Sequence, residues 1–219
     1  LYATAALAVT SSLRIATSNF DIVLLGSFGS VEDAGIYRVA ALISAQVGIA
    51  TQLASLVIAG HVARLLERED IHAAQVILRK ATLWTTGIAA MLVLCLIAFG
   101  PMLLRVVFSP EFGAAYIPMI ILGVAQLSNC LTGSVGLLLN LARREWDVTK
   151  VLFLSTGTNI AANLLLIPLY GIYGAAFASL LSVCVWNGLL YWSVQRKLQM
   201  NVGLIAALKS ILNSANQGR

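Results

Sequence analysis

Charge is scarce in this sequence. Only 11% of its 219 residues are Asp, Glu, Lys or Arg, and 59% are hydrophobic. Soluble domains carry about 25% charged residues. With a mean hydropathy of +0.90, the chain has more apolar surface than a soluble fold of this length could hide, which makes a bilayer its natural solvent. Cysteine is also scarce. Cys95, Cys130 and Cys184 lie singly in different apolar stretches, without CxxC pairs or metal-ligand spacing, and read as small buried hydrophobes. His61 and His72 have no second ligand at a useful spacing. GxSxG, P-loop, HExxH and GxGxxG patterns are absent, and Asp21 is the lone carboxylate inside an apolar segment. No hydrolytic or transferase constellation results, so neither enzyme activity nor a cofactor is expected. A charged n-region and a cleavage site are missing too, so a signal peptide is not expected. Leu1 falls inside an apolar run, and the chain is expected to be a piece of a longer protein.

Six long apolar segments are present, at about Tyr2–Gly26, Gly35–Ala63, Ala81–Val107, Ala114–Ala142, Val148–Tyr170 and Ile172–Gln195. Barrel strands alternate over about ten residues, whereas these runs continue for about twenty or more, enough to cross ~30 Å of hydrocarbon as helices. The expected fold is all-α: a polytopic membrane protein built as a six-transmembrane-helix bundle. Residues 1–200 would form this lobe, and 201–219 a cytoplasmic tail carrying a short amphipathic helix on Leu204, Ile205, Leu208, Ile211 and Leu212.

The connections alternate in charge. Glu32, Asp33 and Glu111 lie in one set of turns; the other set and the tail hold Arg64, Arg68, Arg79, Lys80, Arg143, Arg144, Lys150, Arg196, Lys197, Lys209 and Arg219, eleven of the fourteen basic residues. The positive-inside rule makes that side cytoplasmic, with both ends of the chain there, as in a multi-pass protein of the inner (plasma) membrane. The pI near 9.4 then needs no nucleic acid to explain it. Ile71–Lys80 reads as a short interfacial helix. Pro101 is expected to kink the third segment, and Pro168 to end the fifth. Ala175/Ser179 and Ala178/Ser182 suggest a close helix contact along the sixth.

Polar groups inside a membrane are costly, so the faces they occupy are informative. Ser11, Arg14, Ser18 and Asp21 share one helical face. Gln126, Asn129, Gly133, Gly136 and Asn140 line one side of the fourth segment; Ser155, Asn159 and Asn163 line one side of the fifth; Gln52 and Ser55 do so in the second. Such stripes suit either interhelical hydrogen bonding or the wall of a cavity. Asp21 and Arg38 fall at similar depths on helices joined by a short turn. They are expected to pair, as a structural ion pair, as a gate, or as a site where a coupling cation competes with Arg38.

Asn19-Phe20-Asp21-Ile22-Val23-Leu24-Leu25-Gly26 followed by Ala34-Gly35-Ile36-Tyr37-Arg38-Val39-Ala40 resembles the seventh-to-eighth helix passage of polysaccharide exporters (O-antigen flippases). These belong to the multidrug/oligosaccharidyl-lipid/polysaccharide exporter superfamily. Pro118–Gly123 and Gly133–Asn140 resemble its tenth helix, and Asn163–Ala176 the turn between its last two lobe helices. The resemblance covers about residues 15–195. It implies one lobe, the second, of a two-lobe alternating-access transporter that moves undecaprenyl-pyrophosphate-linked oligosaccharide for surface polysaccharide synthesis. Its implied partners are the lipid-linked oligosaccharide, membrane lipids, the N-terminal lobe and glycan-assembly proteins. Arg14, and less closely Arg38, match arginines that hold the lipid pyrophosphate; Asn129, Asn159 and Asn163 would help line the substrate cavity. Drug-exporting relatives rely on acidic cavity residues, a role Asp21 fits. A non-transporting membrane scaffold is the alternative from another class.

Overall fold

A computed structural model describes residues 20–209. Eight helices follow in order among these residues: α1 (20–28), α2 (Val31–Ala45), α3 (Ile49–Glu67), α4 (Ile71–Val107), α5 (Tyr116–Thr132), α6 (Val135–Leu141), α7 (Glu145–Leu198) and α8 (204–209). Strands are absent among the described residues. Most of the first expected segment, with Ser11, Arg14 and Ser18, lies outside the described residues.

Local chemistry sets the turns. Ser30 caps α2 through a capping box: its Oγ accepts from the Asp33 amide at 3.0 Å, and its own amide donates to Asp33 Oδ2 at 3.3 Å. The charged run Glu67–Asp70 is a tight turn in which Glu69 has a positive φ of 58° and Asp70 accepts from the Ala73 amide at 3.0 Å. Ile71–Lys80, expected as a separate interfacial helix, is instead the start of α4, which runs unbroken for 37 residues. No breaker stands between Lys80 and Ala81, so the hydrogen-bond ladder simply continues. At 1.5 Å per residue α4 is roughly 55 Å long and outreaches the hydrocarbon core.

Two of the expected segments are broken helices. The second passes from α2 to α3 through a single 3-10 turn at Gln46–Gly48. The fourth stops at Gly133 (φ 74°, ψ −164°) before resuming as α6. A β-carbon on Gly133 would lie 2.2 Å from Thr82 Oγ1, so both backbone angle and space demand glycine there.

The fifth and sixth segments are the two arms of α7, reversed at Gly171 (φ 54°, ψ −130°), between the expected ends Tyr170 and Ile172 and three residues beyond Pro168. Proline can occupy a helix's last turn, but the reversal itself needs a conformation that only glycine adopts readily. The arms close tightly beyond it: a β-carbon on Gly174 would come within 2.2 Å of the Leu166 carbonyl oxygen. Ser182 Oγ donates to the Ser155 carbonyl at 2.9 Å midway along the arms, and Ala175 and Ala178 are fully buried, as the small-residue spacing suggests. Lys197 Nζ meets Asp147 Oδ1 at 2.6 Å where the arms end.

The core falls into two main apolar clusters. One gathers Leu25, Tyr37, Leu104, Met119 and Ile172 near the Gly171 turn. The other gathers Val62, Leu78, Leu138, Leu190 and Val202 near the basic end. The outside is as apolar as the inside: Val57 is 81% exposed and Trp84 73%. Four of the helical runs are long and apolar enough to cross a membrane, and α7 turns back on itself within one of them. The tail divides its apolar residues between the lobe and the outside. Val202, Ala206 and Ala207 are buried, while Ile205 and Leu208 are exposed; Ile211 and Leu212 lie outside the described residues.

Candidate functional site

The polar layer is organised around Asp21. This carboxylate is buried near the start of the described chain, where α1, α2 and both arms of α7 converge. Tyr37 Oη, from α2, donates to Asp21 Oδ2 at 3.0 Å, and Ser179 Oγ, from the second arm of α7, donates to the same oxygen. Asn163 Nδ2, from the first arm, donates to Asp21 Oδ1 at 2.7 Å and to Asn159 Oδ1 at 3.1 Å. Tyr37 Oη and Ser179 Oγ are also 3.1 Å apart. Asn163 is fully buried, and its Oδ1 has no hydrogen-bond partner.

All these partners are neutral. The expected pair with Arg38 is not formed: Arg38 is exposed, and no ion pair joins it to Asp21. One residue is about 100° of helical turn, so when Tyr37 points inward Arg38 is carried to the outer face. Asp21 therefore holds a buried carboxylate amid hydroxyls and amides, without a fixed counter-charge among the described residues. A surrounding of carboxylate, amide and hydroxyl oxygens suits a hard cation or a proton. Clusters of three His, Cys, Asp or Glu able to hold a metal are absent among the described residues.

Two cavities meet in the lobe. The first, about 310 Å³, is lined by Asp21, Tyr37, Ser155, Asn159 and Ser179 among others. The second, about 590 Å³, lies beside the breaks in the second and fourth segments, lined by Gln52, Ser55, Asn140 and Asn187 among others. Gln126, Asn129 and Trp186 line both. Apart from Asp21, neither wall contains Asp, Glu, Lys, Arg or His among the described residues.

The expected site residues thus separate. Asn159 and Asn163 are brought to Asp21; Asn129 stands between the cavities; Arg38 is outside; Arg14 is not among the described residues. Tyr37, Ser179, Trp186 and Asn187 had not been singled out as site residues. Tyr37 was hidden by its charged neighbour. Ser179 was visible only as a small residue permitting helix contact.

No protein-family model and no curated protein matches the sequence. Among solved structures, the chain is similar to one described as the outward-facing conformation of a multidrug resistance MATE family transporter of the MOP superfamily. The TM-score is 0.70 at 18% identity, over 93% of this chain and 48% of that one. The likeness is one of fold. The chain is an all-helical, multi-pass membrane protein that spans about half the length of that transporter and shares the fold of the part it matches.

Proposed function

We propose that this lobe is half of a secondary exporter in which the Asp21 centre binds the coupling cation or proton, and that the cargo is an undecaprenyl-pyrophosphate-linked oligosaccharide. The observation that carries the reading is the buried Asp21 carboxylate, held by Tyr37, Asn163 and Ser179 and open to a cavity. A purely structural carboxylate in a membrane would be expected to keep a basic partner. Among the described residues the charge is compensated by dipoles alone, which suits the exchange of a cation. The partnerless Asn163 Oδ1 adds a further acceptor beside it.

The oligosaccharide is supported by the sequence resemblance and by Arg14, whose spacing in the sequence is that expected of a residue sharing a helical face with Asp21 and whose guanidinium suits pyrophosphate oxygens. Arg38, exposed near the turn between α1 and α2, is a weaker fit to that role. Cation-coupled drug export is the second reading, favoured by the presence of Asp21 in the cavity wall and by the fold shared with a transporter named for multidrug resistance. The test is reconstitution of the native polypeptide in proteoliposomes with a fluorescent undecaprenyl-pyrophosphate oligosaccharide in the outer compartment. Flipping driven by a cation gradient and lost with Arg14→Ala is the expected result. Gradient-driven dye export that is indifferent to Arg14→Ala, with no glycolipid movement, would replace it by the drug reading.

A further inference from the structure

The second cavity is unlike the first. Five side-chain amides border it: Gln52 on α3, Gln126 and Asn129 on α5, Asn140 on α6 and Asn187 on α7. Asn187 is engaged, with Thr132 at 3.3 Å and Ser128 at 3.4 Å, as Asn163 is with Asp21 and Asn159 in the first cavity's wall. The other four bordering amides have no side-chain hydrogen bond among the described residues, and the Oδ1 of Asn140 is buried without a partner. Amides that merely fastened membrane helices together would be paired across them. Unpaired, they carry a desolvation cost that a bound polar group or water has to offset.

The chemistry of the wall selects the group. An amide donates and accepts in the same few ångströms, as a hydroxyl does. Phosphate would call for Lys or Arg, and an organic cation for a carboxylate; the described residues of the wall include neither. Trp186 supplies an aromatic surface at the junction of the cavities. A volume of about 590 Å³ falls within the ~300–1,000 Å³ of ordinary ligand sites. The helix breaks at Gln46–Gly48 and Gly133 flank the cavity. Ser55 Oγ and Ser134 Oγ, 2.7 Å apart, tie the two half-helices together below them.

We infer that this cavity is a subsite for an uncharged, polyhydroxylated group, a neutral sugar, read by Gln52, Gln126, Asn129 and Asn140. The inference rests on the export reading and deepens it. It makes Gln126 and Asn129 the shared wall between the sugar and cation sites.

The test uses the native polypeptide in lipid nanodiscs and neutral oligosaccharides released by mild acid from the lipid-linked pool of its own cells. Calorimetric titration should show saturable binding, with Kd raised at least tenfold by Gln126→Leu combined with Asn140→Leu. Because these amides tie no described element to another, the melting temperature should stay level or rise, whereas Asn187→Leu should lower it. Gln126→Glu, nearly isosteric, should weaken glycan binding as much while leaving the fold intact. Absence of glycan binding, binding indifferent to both variants, or a melting loss equal to that of Asn187→Leu would overturn the subsite. Glycolipid flipping insensitive to the amide variants would remove the subsite and leave the export reading; glycan binding lost with the variants, but without flipping, would do the reverse.

Discussion

Asn163 and Asp21 lie 142 residues apart in sequence and 2.7 Å apart in space, with the amide donating to the carboxylate. The contact joins the start of the described chain to the first arm of α7. Asn163 gives its nitrogen to two acceptors and receives nothing at Oδ1, so it can turn over if the chemistry at Asp21 changes.

That freedom shapes the first prediction. Asp21→Asn keeps the size of the side chain and removes its charge. Tyr37 and Ser179 can still donate to the new carbonyl oxygen, and Asn163 can flip to accept from the new NH₂ at the cost of its bond to Asn159. The loss of stability should be about 1 kcal/mol, or a fall in melting temperature of ~2–4 °C for a chain of this size. Gradient-driven transport should fall at least tenfold. A proteoliposome flux assay beside a thermal melt separates the two, and full transport by the variant would end the coupling role of Asp21.

Removing the partners of Asp21 should rank by what each leaves behind. Tyr37→Phe preserves the buried ring and deletes one donor to an oxygen that Ser179 still serves. Its cost should be about 0.6–1 kcal/mol, typical of hydrogen bonds between membrane helices. Asn163→Leu deletes two bonds and strands Asp21 Oδ1, at about 1–3 kcal/mol. Unfolding in detergent measures both, and the reverse order would show that Tyr37 is the main support of the carboxylate.

The lobe itself was legible because hydropathy, run length and loop charge each act on one segment at a time. The six expected segments correspond to real helical runs wherever the structure describes them. The Asp21 site was legible only in part. Its carboxylate and two of its amides stand out as costly residues on polar stripes, but choosing the partner of Asp21 required knowing which way Tyr37 and Arg38 face. A charge attracts attention that a phenol does not, and one residue of helical phase decides between them. The helix breaks at Gln46–Gly48 and Gly133 were illegible for another reason: glycine is common in membrane helices, and only the approach of Thr82 from α4 shows why this one must lack a side chain.

That approach gives a third prediction. Gly133→Ala meets two penalties, a strained backbone at φ 74° and an overlap with Thr82 Oγ1. Backbone strain of this kind costs about 1–3 kcal/mol, and the overlap adds to it. Thr82→Ala removes the overlapping oxygen but not the strain. It also removes the bonds from Thr82 Oγ1 to the carbonyls of Leu78 and Val202. A double-mutant cycle on melting temperature should therefore show favourable coupling, with Thr82→Ala recovering part of the loss from Gly133→Ala. Additive losses would mean that the break yields without engaging Thr82.

The reversal in α7 allows the two roles of glycine to be separated by experiment. Gly171 needs its positive φ but has open space around it, so Gly171→Ala should cost about 1–3 kcal/mol of backbone strain. Gly174 is helical, but the other arm's backbone lies against it at Leu166 and Ile167. Backbone atoms cannot rotate aside as a side chain can. Gly174→Ala must therefore force the arms apart at the turn, disturbing the packing of Ile172, Ala175 and Ala176 in the first apolar cluster and the approach of Ser179 to Asp21. Its cost should exceed that of Gly171→Ala, and it should depress cation-driven transport as well as stability. Gly157, in the same helix with nothing within 4 Å of its would-be β-carbon, is the control: Gly157→Ala should stabilise by about 0.5–1 kcal/mol. Melting curves of the three variants in one detergent test the order, and a mild effect at Gly174 would show that the hairpin is more pliant than its contacts imply.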